Sequence, residues 1–408
     1  MPPRMQATGL IAKPPADRPI WAAIAAATLV NLPLGSLYAY SVFLQPLEQL
    51  LSVSRSELSF VFALATISFT VGMNAAPRFF GTGSAPMLVA LCAASSAAGI
   101  AVAAAATGLA GLVIGYGVLF GLGGGIAYIL FQQGVNLMLQ RRSGLVNGYL
   151  VSLYPLGAML AAPLFGLSIE AWGVRVTLAG LAITIALAGI AAYILVARAG
   201  MRLRPLAGTA DDVRVTGRHL VFWQMCAVFF LAAAAGLTVL SQAAGIIVAY
   251  GGSMAGALAA TTAISGAVAA ARLGGGWLVD VLPVPAVMGL AHAVALAGAG
   301  LLTLWPGPLS AMLALAMIGT GAGLVSGSTA AGVATYWPAA QYGRIASRLY
   351  IAWGVAAISL PVLAGHLFDL TGGYHAAIVV AGCGNLAGLL VALSLPRRGP
   401  ALTAHIAG

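Results

Sequence analysis

The interval RAGMRLRPLAGTADDVRVTGRH (198–219) is the longest polar stretch of the sequence, and it separates two long apolar halves. The whole chain has 408 residues, of which 61% are hydrophobic and only 6% are charged. A soluble domain carries about 25% charged residues, so this composition indicates an integral membrane protein. The apolar runs are about 20 residues or longer and do not alternate with polar residues, which predicts membrane-spanning helices.

Six apolar runs precede this interval and six follow it. Their approximate bounds are 20–46, 56–77, 85–106, 109–138, 144–169, 174–197, 220–248, 255–278, 284–304, 309–335, 345–368 and 375–395. We therefore predict an all-α membrane protein with twelve transmembrane helices in two pseudo-symmetric six-helix bundles. Its predicted parts are a tail (1–19), an N-terminal bundle (20–197), a linker (198–219), a C-terminal bundle (220–395) and a second tail (396–408). The first run is too long for the core of a signal peptide, so we expect a retained helix.

Basic residues are concentrated on one side of the predicted helices. An even number of spans puts both termini on one side, and fifteen of the eighteen Lys and Arg residues fall there. Arg55 and Arg175 fall on the other side, and Arg272 lies inside a span. The positive-inside rule makes the basic side cytoplasmic, so we expect a multi-pass protein of the inner (plasma) membrane. The net charge of +10 then reflects contact with anionic lipid, and neither nucleic acid nor a second subunit is an expected partner.

The two halves share a pattern of glycines and acids. Three glycines recur at an offset of 198, as Gly121, Gly123 and Gly125 and then as Gly319, Gly321 and Gly323. Four positions recur at an offset of 199, as Gly144, Gly166, Glu170 and Gly173 and then as Gly343, Gly365, Asp369 and Gly372. A repeat of this kind is typical of transporters with a substrate site between two halves.

The sequence contains no pattern of enzyme chemistry. Cys92, Cys226 and Cys383 lie inside apolar runs without metal-ligand spacing, so they are expected to be small core residues. No phosphate-binding loop or zinc-protease motif is present. We expect a protein that is not an enzyme and that holds no metal or cofactor.

Several stretches resemble the oxalate/formate antiporter family, which belongs with the monocarboxylate porters in the major facilitator superfamily. GSLYAYSVFLQPLEQLLSVSRSEL (35–58) is similar to its first helix, and YGVLFGLGGGIAYILFQQG (116–134) with QRRSGLVNGYLVSLYPLG (140–157) to its fourth and fifth. AWGVAAISLPVLAGHLFDLTGGYHAA (352–377) is similar to its eleventh helix and the start of its twelfth. GWLVD (276–280) resembles the superfamily's loop motif after the eighth helix.

The resemblance implies a substrate site lined by tyrosines and a cation. The family's tyrosines on the first, fourth and fifth helices correspond to Tyr38, Tyr128 and Tyr154, and its eighth-helix arginine to Arg272. Trp353 stands where oxalate exchangers have a second cation, a lysine. The tenth helix also lacks the Trp and Tyr of oxalate exchangers, and the loop AAPRFFGTG (75–83) lacks the acid of the superfamily motif.

The chemistry of Arg272 points to an anionic substrate. An arginine in mid-helix costs roughly 2.5–3.5 kcal/mol on insertion scales, so such residues face a partner or a cavity. Asp280 is eight residues away, about 12 Å along a helix, which makes reaching the inner surface the less favoured alternative. No acidic residue lies in the interior of a predicted span, so the partner can be a carboxylate substrate. A single cation favours a monoanion over a dianion.

Other polar residues are candidates for the pathway and its gate. Asn31, Tyr38 and Gln45 are seven residues apart, which places them near one face of a regular helix. With Trp353 and His366 they form the predicted pathway lining, although packing roles are equally compatible with Asn31 and Gln45. Near the cytoplasmic side we expect a gate or lipid contact made by Asp280, Arg141, Arg142 and Arg344.

The sequence thus predicts a secondary transporter of small organic anions, in particular monocarboxylates, that works by alternating access. A proton or a counter-anion is the expected coupling partner. Two alternatives remain open: an efflux carrier for another small molecule, and an exchanger of dicarboxylate for monocarboxylate of the oxalate/formate type.

Overall fold

The computed structural model describes residues 20–139, 141, 143–203 and 219–397. The predicted tail 1–19, most of the linker (204–218), Arg142 and the last residues (398–408) lie outside this part of the chain. The α-helices of the described part are α1 (Ile20–Leu34), α2 (Leu44–Leu51), α3 (Arg55–Phe79), α4 (Ala85–Ala105), α5 (Leu109–Leu112), α6 (Gly121–Met138), α7 (Gly144–Ala199), α8 (His219–Ala249), α9 (Met254–Val281), α10 (Val284–Leu304), α11 (Pro308–Tyr336), α12 (Tyr342–Ala357), α13 (Leu360–Thr371) and α14 (His375–Leu393).

These helices provide the twelve predicted membrane crossings. Ten helical segments of the described chain are long and apolar enough to span a bilayer. One of them, α7, has 56 residues and turns at Gly173, whose φ of 80° and ψ of 167° are not helical, so it contains two spans. A further helix, α9, is counted in addition to these ten. Its 28 residues reach about 42 Å, which exceeds the roughly 30 Å of a hydrocarbon core. The all-helical fold with twelve spans is therefore confirmed.

Three crossings are less regular than predicted. The first is α-helical only to Leu34, continues as a 3₁₀ segment (Gly35–Phe43) and ends in α2. The fourth contains a π-helical segment (Val113–Phe120) between α5 and α6. The eleventh is broken between α12 and α13, where Ser359 has non-helical angles before Pro361. Transporter helices can be interrupted where they line a buried cavity, since lipid offers no hydrogen bonds to a free backbone.

The repeated glycines have equivalent neighbours in the two halves. A Cβ atom at Gly121 or Gly125 would collide with the backbone of α3, whereas one at Gly123 would approach α4. In the second half, Gly319 and Gly323 face α9, and Gly321 faces α10. Each triplet thus places one helix tightly between two others in the same order, as small residues do in membranes. The sequence repeat corresponds to a repeat of packing.

The outer faces of the helices are apolar and the aromatic residues near their ends are exposed. Leu164, Leu187 and Leu390 are each more than 60% exposed, as side chains facing lipid would be. Five of the seven tryptophans are exposed near helix ends or the Gly173 turn, namely Trp21, Trp172, Trp223, Trp277 and Trp305. Tryptophan at these positions is typical of the boundary between lipid and water.

The two ends of the molecule carry different connections. At one end α3, α6, α9 and α11 finish and α4, α7, α10 and α12 begin; we call it the basic end, because the charge pattern predicts it to be cytoplasmic. At the opposite end the longest described connection is 250–253, and α7 turns at Gly173 without any loop. Every described connection at the end opposite the basic end is therefore short.

Candidate functional site

Arg272 lies on α9 at the contact between the two halves. Its side chain is only 7% exposed, and Nη1 donates a hydrogen bond of 3.2 Å to the carbonyl oxygen of Val151 on α7. The guanidinium Nε is buried and has no hydrogen-bond partner. The side chain is enclosed by helices and does not extend to the membrane surface, and one of its donors is left for a ligand.

Glycines on the neighbouring helices bring two backbones close to Arg272. On α7, a Cβ atom at Gly148 would lie 2.8 Å from the Arg272 carbonyl oxygen, and on α11 a Cβ atom at Gly327 would collide with the same oxygen. Any larger residue at either position would push the helices apart. The arginine is therefore held where α7, α9 and α11 meet.

A cluster of aromatic side chains borders one side of the guanidinium. We call the space among them the aromatic pocket; its lining consists of Tyr38, Phe69, Met73, Tyr128, Tyr154, Phe229, Arg272, Ser326, Tyr350 and Trp353. Tyr154 stands edge-on to Tyr128, with ring centroids 5.1 Å apart, and to Phe69 at 5.2 Å. Edge-to-face packing of this kind fixes the ring orientations. The structure thus brings together the three predicted tyrosines, Trp353 and Arg272.

The hydroxyl groups of these tyrosines have different partners. Tyr38, on the 3₁₀ segment, interacts with the Arg272 guanidinium. Tyr128 Oη lies 3.1 Å from the hydroxyl oxygen of Tyr350 on α12, a hydrogen bond that crosses between the halves. Tyr154 Oη donates to the carbonyl oxygen of Gly124 at 3.2 Å, so its proton is used within the first half. Of the three predicted tyrosines, Tyr38 and Tyr128 are those whose hydroxyls interact electrostatically with Arg272.

A second space also borders Arg272 and is lined mostly by alkyl groups. We call it the aliphatic pocket; besides Arg272, Ser326 and Trp353, which it shares with the aromatic pocket, its lining consists of Ala233, Gly236, Leu237, Leu240, Val268 and Ala322. The free volumes are about 20 Å³ in the aliphatic and 10 Å³ in the aromatic pocket, room for about one water molecule each. A substrate larger than water can enter only after the helices have moved apart.

Other predicted pathway residues lie away from both pockets. Asn31 is 1% exposed on α1, and its Oδ1 is buried without a partner, but it lines neither pocket. His366 on α13 is exposed and lines neither pocket. The side chain of Gln45 lies outside the described part of the structure. The predicted common face of Asn31, Tyr38 and Gln45 assumed a regular helix, and the 3₁₀ segment between them is wound with about three residues per turn instead.

Asp280 joins the two halves at the basic end. Its Oδ1 accepts a hydrogen bond of 2.6 Å from the backbone N–H of Gly144, and its Oδ2 one of 2.8 Å from that of Leu145. Both amides belong to the first turn of α7, and Ser143 caps the next one, Val146. A carboxylate at a helix N-terminus binds free N–H groups and faces the positive end of the helix dipole. Asp280 on α9 therefore fastens α7 from the other half.

A second connection at the basic end is uncharged. The repeat relates Gly144 to Gly343 on α12, whose N–H donates to Gln133 Oε1 on α6. Gln133 Nε2 also donates to the Ala339 carbonyl oxygen at 3.0 Å, and Tyr342 Oη donates to Gln132 Oε1 at 2.9 Å. The side-chain amide of Gln133 thus binds the start of α12, as the carboxylate of Asp280 binds the start of α7.

The predicted basic gate residues have mixed surroundings. Arg141 is exposed in the bend before α7, and Arg344 is half-buried in the first turn of α12. Arg142 lies outside the described residues. The stretch 75–83, which lacks the acid of the superfamily motif, includes Phe80, whose ring packs against Gly343.

Sequence reasoning missed Tyr350 and Phe69. Both line the aromatic pocket, and Phe69 also packs against Trp353 with centroids 6.2 Å apart. Aromatic residues in apolar helices are common, so composition gives no signal for these two. The signal available for Tyr350 is its position three residues before Trp353, which places both on nearly the same face of α12.

The arrangement is that of a transporter: two packed helical halves with a polar centre between them and contacts that close one end. In the described residues no group of His, Cys, Asp and Glu side chains could hold a metal ion. The family model of the Major Facilitator Superfamily matches residues 20–347, and the chain therefore belongs to this superfamily. Its members are transporters and not enzymes, so the chain is a membrane transporter. No curated protein sequence matches the chain.

Solved structures share the fold at low sequence identity. The proton:xylose symporter XylE is 17% identical with a TM-score of 0.69, covering 92% of this chain and 96% of its own. The transporter FucP in its outward conformation is 14% identical with a TM-score of 0.68, covering 92% and 98%. The human organic anion transporter MFSD10 is 15% identical with a TM-score of 0.67, covering 92% and 99%. These likenesses establish the fold and leave the substrate open.

Proposed function

We propose that the chain carries small organic anions, in particular monocarboxylates, across the membrane by alternating access. The observation that carries the proposal is the buried Arg272 guanidinium, which borders both pockets and has an Nε without a partner. A carboxylate offers two acceptor oxygens that match the planar guanidinium. A bound carboxylate would also neutralise a charge that is costly to bury alone.

The charge of the pocket linings favours a monoanion. Neither lining includes a second cation or an acidic side chain. One positive charge balances one carboxylate, whereas oxalate would leave a net negative charge in surroundings of low dielectric constant. We therefore propose, from the motifs, that the chain has the architecture of the oxalate/formate antiporter family. Exchange of oxalate for formate is the less favoured alternative.

The linings are poorly suited to a sugar, although two of the structural neighbours are named for sugars. They contain no Asn, Gln, Asp or Glu side chain to bind several hydroxyl groups at once. A neutral sugar would also leave the buried guanidinium without a counter-charge. A cationic compound would be repelled by Arg272, which weighs against efflux of cationic drugs.

The contacts at the basic end support alternating access. Asp280 and Gln133 each bond to the other half there, and the Tyr128–Tyr350 hydrogen bond lies deeper, beside Arg272. Release of a substrate toward the basic end would require these contacts to open. Because no acidic side chain lines the pockets, we propose that coupling occurs by exchange with a second anion or by a proton carried on the substrate.

The test is counterflow of labelled acids in proteoliposomes. Formate, acetate, lactate, pyruvate and oxalate would be compared with the wild type, with Arg272→Ala and with Arg272→Lys. We expect at least one monocarboxylate to exchange, and Arg272→Ala to weaken its binding about 10-fold or more, since hydrogen bonds to charged groups contribute about 1.5–3 kcal/mol. Arg272→Lys should retain part of the affinity, because it keeps the charge and loses the paired geometry.

The matched control is Arg175→Ala. Arg175 also donates to a backbone carbonyl oxygen, that of Ala104 at 3.1 Å, but lines neither pocket. Its removal should leave transport unchanged. Absence of exchange for all the monocarboxylates, or unchanged exchange by Arg272→Ala, would contradict the proposal. Movement of a different, uncharged compound would favour the efflux alternative.

A further inference from the structure

The aliphatic pocket is a separate feature of the second half. On α8, the residues Ala233, Gly236, Leu237 and Leu240 follow the spacing of three, four and seven that places side chains on one helical face. Val268 on α9 and Ala322 on α11 close the other walls. None of these side chains can donate or accept a hydrogen bond.

Arg272 is shared by this pocket and the aromatic pocket. Arg272, Ser326 and Trp353 line both. Tyrosine hydroxyls are found on the aromatic side, where Tyr38 and Tyr128 interact with the cation. On the aliphatic side the Ser326 hydroxyl already donates to the Ala322 carbonyl oxygen at 2.9 Å. A ligand bound to the guanidinium thus meets hydroxyl groups in the aromatic pocket and alkyl groups in the aliphatic pocket.

We propose that the aliphatic pocket receives the hydrocarbon part of the substrate, so that the transporter prefers short-chain alkyl monocarboxylates to formate and oxalate. This inference rests on the proposed function, since it assumes that Arg272 binds the carboxylate. The carboxylate lies toward the tyrosine hydroxyls, because it requires donors. The alkyl chain lies between α8 and α11, because burial of apolar surface is favourable there and no polar group loses its hydration.

Small residues bring two walls of the pocket together. A Cβ atom at Gly236 would collide with the Cβ of Ala322, so α8 and α11 touch at this point. Both residues line the pocket, so their contact limits the space that an alkyl chain can fill. Affinity should rise about fourfold for each methylene group until the pocket is filled, and then fall as longer chains are excluded.

The experiment measures competition by straight-chain acids from formate to octanoate against counterflow of the best labelled monocarboxylate. We expect an optimum at an intermediate chain length. Leu240→Ala and Leu237→Ala enlarge the pocket and should each move the optimum by about one carbon toward longer acids. Both leucines are partly exposed, so truncation leaves most of the core packing in place.

The matched control is Leu231→Ala on the same helix. Leu231 contacts Gly384 on α14 and does not line the pocket, so the optimum should not move. Transport that is strongest for formate and declines steadily with length would overturn the inference and leave the proposed function standing. So would an equal shift in Leu231→Ala and Leu240→Ala, or no shift in either pocket variant. If no monocarboxylate competes at all, both proposals fail.

Discussion

At the scale of single residues, the polar centre combines a cation with tyrosine hydroxyl groups whose hydrogen-bond partners lie in different halves of the molecule. The Tyr128 hydroxyl is bonded to Tyr350 across the halves, whereas the Tyr154 hydroxyl is bonded within one half. A bond across the halves must break when they separate, and a bond within a half need not. The two tyrosines therefore have different effects on the movement of the halves, although both line the same pocket.

This difference predicts the effect of Tyr350→Phe. Loss of one neutral hydrogen bond weakens the closed conformation by about 0.5–1.5 kcal/mol, or roughly 2- to 12-fold in the equilibrium constant between the closed and open conformations. Spin labels at Thr82 and Gln341, which are exposed on opposite halves at the basic end, would report a larger share of long distances. Tyr154→Phe should lower thermal stability without this change. An equal change in both variants would contradict the view that, of these two bonds, only the Tyr128–Tyr350 bond holds the two halves together.

Resemblance to a family located Arg272, Tyr38, Tyr128 and Tyr154, and the structure brings them together. Their roles in binding stay predictions. The positions of Tyr350 and the Gly148 contact could not be predicted, because they depend on how two distant helices cross. The expected common face of Asn31, Tyr38 and Gln45 assumed a regular α-helix, and the backbone after Leu34 is not α-helical.

At the scale of secondary-structure elements, two helices begin at the basic end with partners from the other half. The start of α7 is bonded to a carboxylate, and the start of α12 is bonded to an amide. The stretch 75–83, at the end of α3 and after it, lacks an acid, so the two connections differ in charge although the helices are related by the repeat. The motif GWLVD (276–280) indicated that Asp280 matters, but its partner on α7 became visible only in the fold.

Asp280→Ala should open the basic end. Loss of a capping group costs about 1 kcal/mol, which corresponds to roughly a fivefold rise in the open population. The same spin labels at Thr82 and Gln341 would detect it. Asp280→Asn keeps one acceptor oxygen and should show a smaller effect. An unchanged distance distribution in Asp280→Ala would show that this contact does not hold the end closed.

At the scale of the whole molecule, the apolar runs predict the membrane crossings and the charge pattern predicts the orientation. The twelve crossings followed from apolar runs, and the structure confirms them. Irregular segments were not predicted, because a 3₁₀ or π segment has the same composition as an α-helix. The break before α13 has a sequence signal in Pro361, and the end of α1 has one in Pro33.

The charge pattern predicts the orientation in the membrane. Cysteines introduced by Gln6→Cys and Thr403→Cys, in a background without native cysteines, should react with an impermeant thiol reagent only after the cells are permeabilised. Thr107→Cys, near the opposite end, should react in intact cells. The reverse pattern would contradict the predicted cytoplasmic location of both termini.

The short connections opposite the basic end have a practical consequence. No described loop there is longer than 250–253, and α7 turns at Gly173 without a loop. This surface therefore exposes few residues to which an antibody or nanobody can bind. Binders raised against the intact protein should therefore select epitopes at the basic end, where the tails and the linker are predicted to lie, or insert a long loop between the halves when these move apart. A reagent of the second kind would lock the carrier in one state, which makes it a tool for trapping conformations as well as for detection.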